Sequence, residues 1–473
     1  MIIIVTVLAY FAVLFGFSLF TTRRSDNNTF FKGNRQSPWY LVAFGMIGAS
    51  ISGVTFISVP GMVQTSGMTY LQMCLGFILG YVIVAFVLLP IYYRLELTSI
   101  YSYLDKRLGH RTYKTSSTFF LLSKLSSSAV RFYVVCMILQ KFVLDKYHIP
   151  FVFTIFFLIG LIWLYTRRGG IRTLVYTDSL QTICMLGALL LIIYTVIDTL
   201  NLSVSDAFRT IANDSRSQIF VFNDWLSGQN FWKQFLSGVF IVIVMTGLDQ
   251  DMMQKNLTCK SLSGAKKDMI TYGFAFFPVN LLFLSLGILL VLFYQKIGIA
   301  PPAGDDLMLN ATATGLLGTG VQVLFTIGIV AACFSSADSA LTSLTTSFCV
   351  DICEAPTNEK LRKRTHLGMA IAFAAFILIF QWFNSTSLID AIYTLVSYTY
   401  GPLLGFFAFA MLTKRRGNDK SAPYIAVLSL LFTFLLDKVV TQFTSYHFGY
   451  ELLMINGLFT FGCLWLNSKG KIG

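Results

Sequence analysis

Four stretches of this 473-residue chain set oxygens or charge inside apolar runs, where a polar group is costly and defaults to a functional role. The first, Gly45 to Gly61, places Gly45, Gly48, Gly53 and Gly61 among Ser50, Ser52, Thr55 and Ser58, and ends on Pro60-Gly61. Such a run makes a poor continuous helix. Two readings stand: it unwinds and offers backbone carbonyls to a cation, or its small residues let helices pack closely. The second, Ala331 to Ser343, puts Ser335, Ser336, Asp338 and Ser339 on about one helical turn. Hard oxygen ligands suit an alkali cation. A serine in a membrane helix often just bonds its own i−4 carbonyl, but an aspartate there has no such bland role. The third is Asp178, in Tyr176-Thr177-Asp178-Ser179-Leu180-Gln181. It lies near the end of its run, so a water-exposed structural aspartate stays open. The fourth is Arg131, near the middle of its run and too deep to snorkel easily. It needs an anion, either a protein carboxylate or one on a solute. Lys124 sits nearer the run's end and is expected to snorkel.

Other chemistry finds little support. Four histidines leave metal and His-based catalysis without ligands or bases. The eight cysteines, Cys74, Cys136, Cys184, Cys259, Cys333, Cys349, Cys353 and Cys463, lack metal-ligand spacing and read as reduced, mostly small apolar residues. No nucleophile–base constellation appears, so an enzyme is not expected; a di-Asp intramembrane enzyme stays formally open.

The elements that position these residues must be membrane helices. The chain is 55% hydrophobic and 12% charged, against about 25% charged in a soluble domain. Apolar runs near the roughly 20 residues of a spanning helix recur along its length; barrel strands would alternate over about 10. The reading is an all-α integral membrane protein with thirteen spans, at 2–20, 38–63, 68–93, 116–145, 149–166, 173–197, 231–254, 268–295, 314–346, 365–383, 387–413, 422–441 and 448–467. The run from Ile2 lacks a basic flank and a cleavage site, so it reads as a span rather than a removed signal.

The net charge of +13 reflects topology, not nucleic-acid binding. Of 35 Lys and Arg, 26 fall on alternate loops from Arg23–Arg35 onward, 7 on the opposite side, and Lys124 and Arg131 within a span. The basic side is cytoplasmic, which puts the N-terminus outside and the C-terminus inside, in the inner (plasma) membrane. The outside loop 198–230 has an amphipathic stretch at Ala207–Ile211 that suits a short surface helix, and the loop at Pro301–Asn310 is similar.

With these stretches in place, the chain resembles the sodium:solute symporter family, whose members include sodium/glucose, sodium/proline, sodium/iodide and bacterial sodium/sialic-acid transporters. The likeness runs through the second span ending in Pro60-Gly61, Leu97-Thr98 through Gly109, Arg168-Gly169-Gly170 followed by Tyr176 to Gln181, Gly247-Leu248-Asp249-Gln250 through Lys255, Ser335-Ser336, and Ser397 through Gly405. No single motif decides it; six in order do.

The resemblance implies a LeuT-type fold, in which two inverted five-helix repeats each begin with a broken helix. As a single transporter domain over 1–473, it divides into a first helix and loop (1–37), the first repeat (38–197), the external loop (198–230), the second repeat (231–413) and two C-terminal helices (414–473). The seventh span is then expected to break near Thr246–Leu248. Function follows as import of a small organic solute with sodium by alternating access, through a monomer. The first sodium site would use Gly48, Ile51, Ala332, Ser335 and Ser336. A second would use Asp178, Ser335 and Ser339, with Asp338 where such members typically carry a hydroxyl residue. That carboxylate could tighten a cation site, bind a proton or pair with Arg131. Arg131 resembles the arginine that sialic-acid-type members aim at a substrate carboxylate, and Ser52, Thr55 and Tyr70 fall where those members line the sugar pocket. Their glutamine on the third span is matched by Gln72 or displaced by Cys74. The leading solute is an acidic sugar such as sialic acid. The alternatives are a neutral sugar or amino acid, proton coupling through Asp178 and Asp338, and a membrane sensor, for which the chain shows no soluble output domain.

Overall fold

A computed structural model describes residues 2–21, 26–383, 395–444, 446 and 448–471. Helices dominate. The principal ones are α1 (Ile2–Thr21), α2 (Trp39–Ser50), α3 (Gly53–Ser66), α4 (Tyr70–Arg94), α5 (His110–Leu139), α6 (Phe151–Gly169) and α7 (Ile171–Thr199). They continue with α8 (Phe231–Gly247), α9 (Gln250–Asn256), α10 (Leu262–Lys296), α11 (Thr319–Ile352), α12 (Glu359–Phe383), α13 (Gly401–Leu412), α14 (Ala422–Phe443) and α15 (Leu452–Leu466).

Among the described residues, seven helices are long and apolar enough to cross a membrane, and two bent pairs bring the number to nine. The other expected spans coincide with four shorter apolar helices, at α1, α6, α13 and α15. Their length does not by itself make them spans, so thirteen stays an expectation. The outer part of the expected span 387–413 lies outside the described residues.

The two bent pairs fall at the expected breaks. Between α2 and α3 the chain turns by 61°, through Ile51 and Ser52 in extended conformations. Between α8 and α9 it turns by 69°. There α8 loosens into a π-turn at Ile243–Gly247, and Asp249, extended, caps α9 by accepting from the Asp251 and Met252 N–H groups. That cap supplies an acceptor to orphan donors at the new helix start.

The packing crosses the two expected repeats reciprocally. The second helix of one, α4, packs on the broken first helix of the other, α8; conversely α10 packs on α2 and α3. The third helices, α5 and α11, pack on each other. These crossings are close because they use glycine: a Cβ on Gly76 would sit 2.1 Å from the Phe235 carbonyl oxygen, and one on Gly238 would sit 2.3 Å from that of Met73. Small-residue crossings are how membrane helices gain van der Waals contact without a hydrophobic drive between them.

The loop at 198–230 forms a helix at Val204–Asn213, N-capped by Ser203, and a second short helix spans Asp306–Thr312. The Arg216 guanidinium grips Asp214 at both carboxylate oxygens, 2.8 and 2.7 Å, and holds that carboxyl below its ordinary range.

Candidate functional site

The break after α2 frees backbone oxygens. The Ile51 N–H closes the last turn on Ile47, and the next ladder bond runs from Phe56 N–H to the Ser52 carbonyl. The carbonyls of Gly48 to Ile51 therefore receive no N–H from the residue four ahead. Helix α11 meets this open end. Ser336 Oγ donates to the Ala49 carbonyl at 3.0 Å and sits 3.3 Å from the Ala332 carbonyl. Gly48 lies against α7, where its missing side chain matters: a Cβ would fall 2.1 Å from Thr182 Oγ1. Gly48, Ile51, Ala332, Ser335 and Ser336 are thus gathered where α2, α7 and α11 converge, with Ala49 as an added oxygen that the sequence reading did not name.

Charges fill the space beside them. Asp178 on α7 is fully buried; its Oδ1 accepts from Ser335 Oγ at 2.9 Å and its Oδ2 lies 2.7 Å from Lys255 Nζ. Lys255, on α9, is buried too. Lys124 on α5 pairs with Asp251 at 2.7 Å and Asp249 at 3.2 Å, and the Tyr400 hydroxyl donates to Asp249 at 2.7 Å. Ser339 donates to Asp251. Asp338 accepts from the Tyr165 hydroxyl of α6 at 2.6 Å.

This arrangement corrects several expectations. Lys124 does not snorkel; it is buried and ion-paired. Lys255 is not a solvated loop charge. Asp338 does not pair with Arg131, and Ser339 turns to Asp251 rather than to Asp178, so the residues named for a second sodium do not form one cage. The physical reason is shared: a buried charge must be paired, and the turn into α9 carries Asp249, Asp251 and Lys255 inward. The signal was present in the sequence, since Asp249 and Asp251 fall inside the expected span 231–254, opposite an intramembrane lysine.

A pocket opens at the level of both breaks. It is lined by Ala49 and Ser50 of α2, Phe77 and Tyr81 of α4, Lys124, Ser127 and Arg131 of α5, Ile241, Val242, Met245 and Thr246 of α8, Asp249, Asp251 and Met252 past the second break, Tyr272 and Phe276 of α10, Ser336 and Tyr400. A chain of hydroxyls borders it: Ser50 bonds the Tyr272 hydroxyl, which accepts from Tyr81 at 2.7 Å. Arg131 faces this pocket half-buried, and no ion pair joins it to a carboxylate among the described residues. Ser52, Thr55, Tyr70 and Gln72 are not in its lining. Ser52 is buried at the start of α3, with Thr55 half-buried beyond it. Tyr70 packs edge-on to Phe77, and the Gln72 amide is held at both ends by external-loop backbone, at Gln229 O (2.9 Å) and Val221 N (3.0 Å). His366, buried between Thr166 and Thr345 at 2.9 Å each, ties α6, α11 and α12 together and lies outside the pocket lining.

Comparison with known proteins agrees with this geometry. The model of the sodium:solute symporter family matches residues 30–427. The sodium/sialic acid symporter SiaT of Proteus mirabilis is 25% identical, over 89% of this chain and 88% of its own. Sodium/glucose cotransporter 1 of Ovis aries is 24% identical, over 92% of this chain and 71% of its own. Among solved structures, a Na+-coupled sialic acid symporter in a substrate-bound outward-open state aligns with a TM-score of 0.84 at 21% identity, covering 99% of each chain. Mhp1, a nucleobase-cation-symport-1 family transporter, aligns at 0.62 with 15% identity over 94% of each. The fold is the LeuT-type arrangement of a membrane transporter.

Proposed function

The chain belongs to the sodium:solute symporter family, and we propose that it imports an acidic sugar such as sialic acid, with Arg131 binding the carboxylate. As a family member it is a multi-pass secondary transporter that couples a solute to sodium by alternating access. The observation that carries the substrate reading is Arg131: an arginine facing a midplane pocket with no carboxylate of its own chain in ion-pair range among the described residues. An unpaired intramembrane charge is costly, and a bidentate carboxylate is the partner a guanidinium geometry fits best. The hydroxyls of Ser50, Ser127, Tyr81 and Tyr272 supply sugar-binding groups around it.

Sodium is carried where α2 meets α11, by the Gly48, Ile51 and Ala332 carbonyls with the Ser335 and Ser336 hydroxyls. The donated bonds do not spoil the hydroxyls as ligands, since a hydroxyl that gives away its proton keeps its lone pairs for a cation. Sodium and solute are coupled because each favours the same state of the two repeats, and the coupling is reciprocal. The crowding of basic residues on alternate loops supports an orientation with the N-terminus outside the inner membrane and the C-terminus in the cytoplasm.

Uptake of radiolabelled sialic acid into proteoliposomes tests the reading, with sodium, potassium or a pH gradient imposed separately. Accumulation driven by sodium alone is expected. Equal uptake in potassium removes the sodium coupling, and no sodium-driven uptake of sialic acid by proteoliposomes that accumulate a neutral sugar removes the substrate.

A further inference from the structure

We infer that Lys255 is a tethered cation that takes the place of a second sodium ion at Asp178, so that this chain moves one sodium per solute. Asp178 is fully buried, and its two oxygens already have partners: Ser335 Oγ at 2.9 Å and Lys255 Nζ at 2.7 Å. The lysine is 1% exposed, and among the described residues Asp178 is its one ion-pair partner. A carboxylate buried this way needs a positive charge, and the chain itself provides it.

The neighbouring side chains are drawn to other partners. Ser339 is bound to Asp251, whose other oxygen holds Lys124 at 2.7 Å, and Asp338 is bound to Tyr165. A sodium ion at Asp178 would have to displace an ammonium that is buried and 2.7 Å from the carboxylate. The first sodium site, at Gly48, Ile51, Ala332, Ser335 and Ser336, meets this pair through Ser335, which donates to the Asp178 oxygen that Lys255 does not hold. The inference rests on the sodium-coupled reading but not on which solute is carried.

The test is sodium binding to the purified full chain without solute, read by thermal shift in sodium chloride against choline chloride and by calorimetric stoichiometry. Wild type is expected to bind about one sodium, with a Hill coefficient near 1. K255Q removes the tethered charge; it is expected to be unstable in choline, to recover in sodium and to bind about two ions. Lys255→Arg keeps the charge and should bind one. The D178N/K255Q double variant, lacking both charges, should be stable in choline and bind one. Two sodium ions bound by wild type overturn the inference, as does K255Q destabilised equally in both salts. Because no solute is present, these outcomes stand whatever the uptake assay shows. Failure of sodium to bind wild type at all would instead remove the coupling.

Discussion

Two of the cations on α5, Lys124 and Arg131, line one pocket, and their neighbours give them different work. Lys124 is held by Asp249 and Asp251, so its charge is spent inside the protein. Arg131, two turns further out, lines the same pocket with no such partner among the described residues. The proposed role therefore belongs to Arg131, and it is testable by truncation. A charge-assisted hydrogen bond contributes about 1.5–3 kcal/mol, so Arg131→Ala is expected to weaken an acidic solute by about 10- to 100-fold. Sodium-induced stabilisation without solute should survive, because Arg131 touches none of the first-site oxygens. Arg131→Lys should recover only part of the affinity, since an ammonium cannot form the two parallel bonds of a guanidinium. Full solute affinity in Arg131→Ala, measured by calorimetry, would leave the residue without its assigned task.

The broken helices hold these side chains in register, and glycine contacts hold the helices. At Gly238 the obstacle to any larger side chain is the Met73 carbonyl, which cannot rotate aside. Gly238→Leu should push α8 off α4 and lower stability by about 1–3 kcal/mol, a typical cost of overpacking. Gly160 on α6 has nothing within 4 Å of the same added carbon, so Gly160→Leu is the control. Thermal shift should separate the two; equal melting temperatures would mean the α4–α8 crossing is not tight. The first break was half legible in the residues, where glycine and serine admit either unwinding or close packing, and the second, near Thr246–Leu248, came from the family resemblance. The positions of the spans were legible because apolar length is set by the bilayer. The Lys255–Asp178 pair was not. Lys255 reads as one more cytoplasmic charge until the 69° turn after α8 is known, and that turn carries it inward onto Asp178. Gln72 shows the reverse error. Its place on the third span suggested a sugar contact, but the external loop folds back and occupies both ends of its amide. A spacing along one helix cannot reveal which distant segment reaches it.

Across the whole molecule, function requires a fixed orientation, since the membrane potential drives sodium inward by about 2.3 kcal/mol per charge per 100 mV. The orientation proposed here comes from the loops, where basic residues crowd one side. The cysteines offer a direct probe of it. Cys353, just past the end of α11, is exposed, whereas Cys74, Cys136, Cys259, Cys333 and Cys349 are buried and Cys184 and Cys463 are partly covered within helices. A membrane-impermeant maleimide should therefore label Cys353 in inside-out vesicles and leave it unmodified in intact spheroplasts, with Cys353→Ser as the blank. Labelling from the outer face alone would invert the topology. The α2 end of the first broken helix would then open outward instead of toward the cytoplasm, and the Lys255–Asp178 pair would lie on the side from which sodium enters rather than on the side where it leaves.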